Sequence, residues 1–573
     1  MAIDLPPAIP PQLTQLNRIE QYVAGSSPYV GIVNGYEVRV SGDHHLNDEE
    51  LAKIFAAAKT PSQAIILMNA MTIRKGHLLV SMQYAPDVNV VHVHAIQGSV
   101  TNVQGEGIAE YFTGLEGDDD LTRADYERAR VMANVRSERA GVNYSARFDV
   151  DPENPANVAL IFDPEPVEDH DATDVILKLG NEGSRFVGRY FGDAALSHNF
   201  KNGTNAAVAY QTAFTDLGES RGGEDYHRVQ LSMDRPFASG LYGISASHVE
   251  YSQDLGSFAL ATGGSGGGLT NVPVLGELDE VLGGLLSSLL GGGGGGAAIQ
   301  QVDLEADINA IVLSGEQVLA GDLDYRFNLF QSIEYIDSQI EVDTLDPIQD
   351  EKYGVVEVGV KYFGAKALNE SLLRWSGQFS VKAGVTGDSG TLGTYDEFVA
   401  NSTTTPVPEV APAARTAEFI LLKPKLAMKL PLTASSSINA NFSAQFADEQ
   451  VPQQQQWVLG GMSSISAYLP GVLVGDSGYH GLVNYEYSFP LNFAKITTSA
   501  FAEYGAAWYE NVSGDLGDER SIADAGVRMR AEFDYDFTLD AVAARKIADD
   551  GFNDSDDLDR LEADFYITLK KVF

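Results

Sequence analysis

Four groups of residues carry types that could do chemistry. Gly475-Asp476-Ser477-Gly478 and Gly387-Asp388-Ser389-Gly390 both look like the turn around a nucleophilic serine. Neither is followed by Gly-Pro, and the all-β repeats around them give no place for a triad of known order. Both read better as turns. His44-His45 and the same-face pair His92/His94 could ligate a metal, but no Cys or acid is spaced to finish a site. The acids Asp549, Asp550, Asp554, Asp556, Asp557 and Asp559 lack the glycine and terminal glutamate of a calcium loop and read as a solvated loop. The run Gly291 to Gly296 has no Lys-Ser/Thr to make it a phosphate loop. The expectation is a chain with no catalytic residues, no metal site and no cofactor.

The elements around these residues explain why. Composition excludes several classes first. The chain has 573 residues, a net charge of −42 and no Cys. Phosphate binding needs a positive field, so nucleic acid is an unlikely partner on charge alone. Disulfide scaffolds and thiolate chemistry are excluded outright. The start, MAIDLPPAIPP, has no basic segment followed by an apolar core, so any export signal would have been removed already. One uncharged run, 281–299, is long enough to imitate a membrane helix. Its glycines favour a flexible loop with a short Leu patch, and a helical hairpin is the minor reading.

Residues 1–35 are Pro-rich and read as a linker with one short helix at 12–23. Between 36 and 98 the order is β-α-α-β-β. Asn47 caps one helix, and Thr60 with Pro61 starts the next, which stops at Gly76. A second unit of similar order fills 99–168. After residue 168 the helical periodicity gives way to alternating runs such as DVILKLG, LYGISASHVEYS and LVNYEYSFPL. In the last, Val483, Tyr485, Tyr487 and Phe489 share one face, while Asn484, Glu486 and Ser488 share the other. Short turns and long loops punctuate these runs by turns. That asymmetry, at ~25 residues per strand with its connection, predicts about 16 transmembrane strands. The fold expected is two α+β units followed by a 16-stranded antiparallel transmembrane β-barrel over 169–573.

The α+β units resemble POTRA domains, the periplasmic modules of outer-membrane transporters. The whole resembles the two-partner secretion transporters, the hemolysin secretion/activation family. LKLGNEGSRFVGRYFGDAAL (177–196) is similar to that family's opening hairpin. LGGMSSISAYLPGVLVGDSGYHGLVNYEYSF (459–489) is similar to the loop that dips into the barrel and the strand after it. SAFAEYGAAWYE (499–510) is similar to the next strand. The last strand, with Phe565, Ile567, Leu569 and the terminal Phe573 on one face, resembles the signal read by the barrel-assembly machinery.

The inserted loop, 451–481, departs from the family. Where relatives carry Val-Arg-Gly-Phe/Tyr, this chain has Ile465-Ser466-Ala467-Tyr468, and the facing aspartate is Glu503. The Arg–carboxylate clamp therefore cannot form. Arg528 or Arg530 on the next strand is expected to partner Glu503, since an unpaired buried carboxylate is expensive. The loop's remaining anchors are expected to be Tyr468 and Leu469 by packing, and Ser464, Ser466 and His480 by polar contact.

The resemblance implies an outer-membrane pore that secretes a partner exoprotein. The POTRA units would face the periplasm and hold the unfolded cargo by strand addition. The loop and the helix at 12–23 would occlude the pore. Lipid surrounds the barrel. Two other readings stand beside this one: a barrel-assembly insertase of the same superfamily, and a passive porin or adhesin barrel.

Overall fold

The computed structural model describes residues 2–23, 27–183, 188–214, 225–259, 299–342, 349–368, 371–393, 415–511, 517–552, 558 and 561–573. Sixteen strands close into one antiparallel barrel, from Thr173–Gly180 to Tyr566–Val572. Closure joins those two strands in the register Thr568↔Gly180 to Val572↔Ile176. A closed barrel leaves no unpaired edge, which hydrocarbon would penalise. Alternation sets the two faces. Leu177, Leu179, Val208, Tyr210, Leu231, Ile311, Ile333, Val483, Tyr485 and Tyr487 point outward and are exposed, forming the apolar belt. The lumen is polar. Lys361 Nζ pairs with Glu316 at 2.5 Å, Lys382 Nζ with Glu334 at 2.7 Å, and Asn439 donates to Asn484 at 2.7 Å.

Every short turn lies at the barrel end next to the α+β units, as in Asn199 to Asn205 and Phe237 to Gly240. The long connections lie at the other end. The Gly-rich insert joins two of the longest strands, Gly240–Ala259 and Ile299–Gly321, at that far end. The Leu patch and Gly291 to Gly296 fall outside the described residues, as do Asp554, Asp556, Asp557 and Asp559.

Both α+β units share one topology: the first strand runs parallel to the third, which pairs antiparallel with the second. In the first unit Asn47 and Glu50 form a reciprocal cap on helix Asp48–Ala57, and the Thr60 side chain caps helix Pro61–Arg74. In the second unit two 3₁₀ turns, Ala109–Tyr111 and Thr113–Leu115, replace the first helix. Helix Arg123–Ala140 follows, capped by Thr122 and closed by Gly141 at φ 65°. It docks on the short turns: Arg123 forks onto Asp322 at 2.7 and 3.0 Å, and Arg139 reaches Asp234 at 2.5 Å.

The reading of 1–35 as a linker with a plugging helix is corrected. Strand Tyr29–Val33 extends the first unit's sheet, and Gln12–Leu13 pairs parallel with its opposite edge. Helix Leu16–Val23 lies on that sheet with Ile19 buried and Tyr22 stacked on His94 at 5.2 Å. Ile19 is the residue the first unit's sheet buries, while Tyr22 stays exposed beside His94. Residues 2–9 strap across both units. Ile3 and Ile9 are buried; Tyr144 N–H donates to Ala2 O at 2.7 Å, and Asn69 donates to Ile9 O at 2.9 Å.

Candidate functional site

The loop between strands Ser436–Ala447 and Ser477–Leu491 returns into the lumen. It enters and leaves as a two-stranded ribbon, Trp457–Leu459 against Leu473–Gly475. Three glycines with φ between 92° and 114°, Gly460, Gly461 and Gly471, turn the backbone where a side chain would be strained. Gly461 N–H donates to Tyr468 O at 2.8 Å, closing the tip into a compact turn. Ile465 sits at φ 48°, a left-handed position that a β-branched residue occupies only when its surroundings hold it there.

Those surroundings are the inner wall. Ile465, Tyr468, Leu469, Val472 and Leu473 pack with Phe501, Ile522, Val542 and Tyr566 in one buried cluster. Gly505 makes room, since a Cβ there would meet Leu459 at 2.6 Å and Ile465 at 3.0 Å. The segment before the last strand adds a bridge: Leu469 N–H donates to Leu561 O and Ala563 N–H to Ala467 O, both at 2.8 Å. Tyr566 from the last strand donates its hydroxyl to Tyr468 O at 2.5 Å.

The polar grip is made by two carboxylates on the backbone of the tip. Ser466 N–H donates to Glu503 at 2.9 Å and its hydroxyl to the same oxygen at 3.1 Å. Ala467 N–H donates to Asp524 at 2.7 Å. Glu503 and Asp524 are cross-strand neighbours in strands Ala494–Trp508 and Arg520–Phe533, and both are buried. Consecutive amides thus meet paired acceptors, one oxygen of each carboxylate being bonded by the tip, while Asp524 Oδ1 is buried without a partner among the described residues.

The expected cation partners are corrected. Arg530 forks onto Asp540, its cross-strand neighbour, at 2.7 and 3.2 Å. Arg528 donates to Met462 O at 3.0 Å and lies over the Phe501 ring at 5.4 Å. It tethers the loop through a carbonyl, and Glu503 feels it only as a nearby charge. His480 does not anchor the loop: its Nε2 is buried without a hydrogen-bond partner, and the side chain lines the lumen. Ser464 acts within the loop, accepting from Gly460 N–H at 3.2 Å. Ser477 donates to Glu510 at 2.6 Å and Ser389 to Lys352 O at 2.8 Å, so both Gly-Asp-Ser-Gly turns spend their hydroxyls locally.

Between the loop and helix Arg123–Ala140 lies an open cavity of about 1300 Å³. Glu127, Arg130 and Glu138 line it from the helix, Met462 and Ser463 from the loop, and Arg528, Arg530 and Glu486 from the wall. The lumen is therefore an open space lined by charges and closed on one side by the loop.

At the seam, Phe565, Ile567, Leu569 and Phe573 all face outward and are exposed. Lys571, on that face, donates to Tyr535 O at the short-turn rim. Asn181 of the opening hairpin locks the seam from inside, donating to Phe565 O at 3.1 Å and accepting from Ile567 N–H at 2.6 Å. Its place in the N-x-G of 177–196 was the available signal. Asp524 was missed, although it is the one acid at an inward position in the apolar first half of its strand, SIADAGV. His45, expected to lack acidic company, stands beside His77 and Asp120, which distant sequence positions bring in. His92 and His94 do not join them.

No family model matches the chain, and no curated protein matches it. Among solved structures, CdiB from Escherichia coli superposes with a TM-score of 0.64 at 15% identity, covering 96% of this chain and 92% of that one. CdiB from Acinetobacter baumannii gives a TM-score of 0.59 at 12% identity, covering 97% and 96%. Over nearly its whole length, the chain has the fold of the CdiB structures: α+β units joined to a closed, 16-stranded antiparallel β-barrel.

Proposed function

We propose that this protein is a two-partner secretion pore that moves an unfolded exoprotein outward across the outer membrane. The observation that carries the reading is the inward loop clamped by Glu503 and Asp524 over a charged lumen, in a barrel directly continuous with two α+β units. A passive porin has no use for such units. They would lie in the periplasm and hold the cargo. Strand Tyr29–Val33 is the outer strand of its sheet, with Val30 and Ile32 exposed, and offers backbone groups to an extended chain whatever its sequence. The charged lumen suits a hydrated polypeptide in transit, and no catalytic step is needed. The outward face of the last strand would be read by the barrel-assembly machinery before insertion.

The test is export of the exoprotein encoded beside this protein, followed in the culture medium. Cells carrying the intact chain should release it. Cells without the chain, or with Ile32→Pro blunting the free edge while the barrel still assembles, should retain it. Release that persists without the chain sinks the reading.

A further inference from the structure

We propose that His45, His77 and Asp120 form a binding site for one divalent transition-metal ion, zinc above all, at the junction of the two α+β units. Each residue comes from a different segment. His45 precedes helix Asp48–Ala57, His77 follows helix Pro61–Arg74, and Asp120 belongs to the second unit, just before helix Arg123–Ala140. One donor atom from each lies within 4.8 Å of the others. The backbone around them is fixed: Arg123 N–H donates to Gly76 O at 2.8 Å, and Leu78 N–H to Leu121 O at 3.2 Å. His45 is held at φ 54°, which aims its ring at the junction.

The rings are already oriented by acceptors. Gln97 Oε1 bonds His45 Nε2 at 2.9 Å, and Asp120 Oδ1 bonds His77 Nδ1 at 2.9 Å. Both partners only accept, so each neutral ring keeps its other nitrogen lone pair for a metal. A histidine whose second nitrogen is fixed by an amide or carboxylate oxygen is the common form of a metal ligand. Two imidazoles and a carboxylate, with water in a fourth position, suit zinc and its neighbours; calcium and magnesium prefer oxygen alone.

The rings are stacked, with centroids 3.7 Å apart and planes 12° from parallel. In that arrangement their in-plane lone pairs run side by side. Binding requires each ring to turn about its Cβ–Cγ bond so that the lone pairs converge, a soft torsion for half-buried rings. The metal would replace the stack and the present ring bonds to Gln97 and Asp120 with bonds that staple the first unit to the second.

Untagged full-length protein in detergent, stripped with chelator, is titrated with zinc by calorimetry and with cobalt by absorption. The intact chain should take up one zinc per chain, and cobalt should give the visible bands of four-coordination. His77→Gln and Asp120→Asn should each lower the affinity about 10- to 100-fold, while His92→Gln, on the neighbouring sheet, should leave it unchanged. Unaltered heat-induced gel mobility in the variants shows that the fold is intact. Absence of stoichiometric uptake at micromolar zinc, or full affinity in Asp120→Asn, overturns the proposal.

Discussion

Replacing Glu503 by Ala should undock the loop far more than replacing the serine that Glu503 holds. Glu503 accepts two hydrogen bonds from Ser466, one from the amide at 2.9 Å and one from the hydroxyl at 3.1 Å. The hydroxyl has a fallback, Met462 O at 3.4 Å. Among the described residues the buried amide bonds Glu503 alone. Losing a charge-assisted bond and stranding that N–H costs about 1.5–3 kcal/mol, or roughly 10- to 150-fold in the docking equilibrium. Relief of repulsion from Asp524 pulls the result towards the lower end. Ser466→Ala removes only the hydroxyl bond and should cost under about 1 kcal/mol. The assay is single-channel conductance of the full chain in planar bilayers, with protease cleavage near Met462 as an independent report of loop exposure. Glu503→Ala should raise the open fraction at least several-fold over Ser466→Ala. Equal behaviour of the two variants, or neither differing from the intact chain, would refute the amide-grip reasoning.

Three further outcomes follow from the same structure. Gly505→Ala should loosen the loop by about 1–3 kcal/mol, because the new methyl collides with Leu459 and Ile465; the conductance assay reads it. Tyr468→Ala removes a fully buried ring from the loop's cluster and should destabilise docking by about 3–5 kcal/mol, visible as constitutive cleavage of the loop. In the first α+β unit, burial holds His94 below its ordinary 6.5, with Asp43 opposing. Below that pH the unfolded chain binds more protons than the folded one, so the unit should lose stability as pH falls through 6.5 and downward. His94→Phe should keep the stack on Tyr22 and flatten that slope in denaturant titrations at pH 5 and 7.

The barrel was legible because its physics is periodic. Val483, Tyr485 and Tyr487 face outward and Asn484 faces the lumen, as alternation requires. The caps at Asn47 and Thr60 were legible because capping is local. What holds the loop was not. A search for the partner of Glu503 looks for a side-chain cation, whereas its donors are the amide and hydroxyl of Ser466, with the next amide, Ala467, on Asp524, and every residue but proline carries an amide. Residues 2–9 were obscured for a different reason. Two isoleucines among prolines carry no periodicity, and only the finished units offer the grooves that bury Ile3 and Ile9. His45, His77 and Asp120 are separated by 32 and 43 positions, so only the folded junction makes them neighbours.

The strap of residues 2–9 also orders the assembly of the chain in time. Ile3 N–H is satisfied by Asn134, 131 positions later, and Arg130 donates to Ile3 O at 3.1 Å. Closing a loop of that length costs roughly 4 kcal/mol of chain entropy. The contact cannot form until helix Arg123–Ala140 exists, so residues 2–9 dock fully only after the second unit has formed. Docking of the strap is therefore a checkpoint: a slow, late kinetic phase that reports completion of the pair, and one that Asn134→Ala should delay without altering either unit's own folding rate.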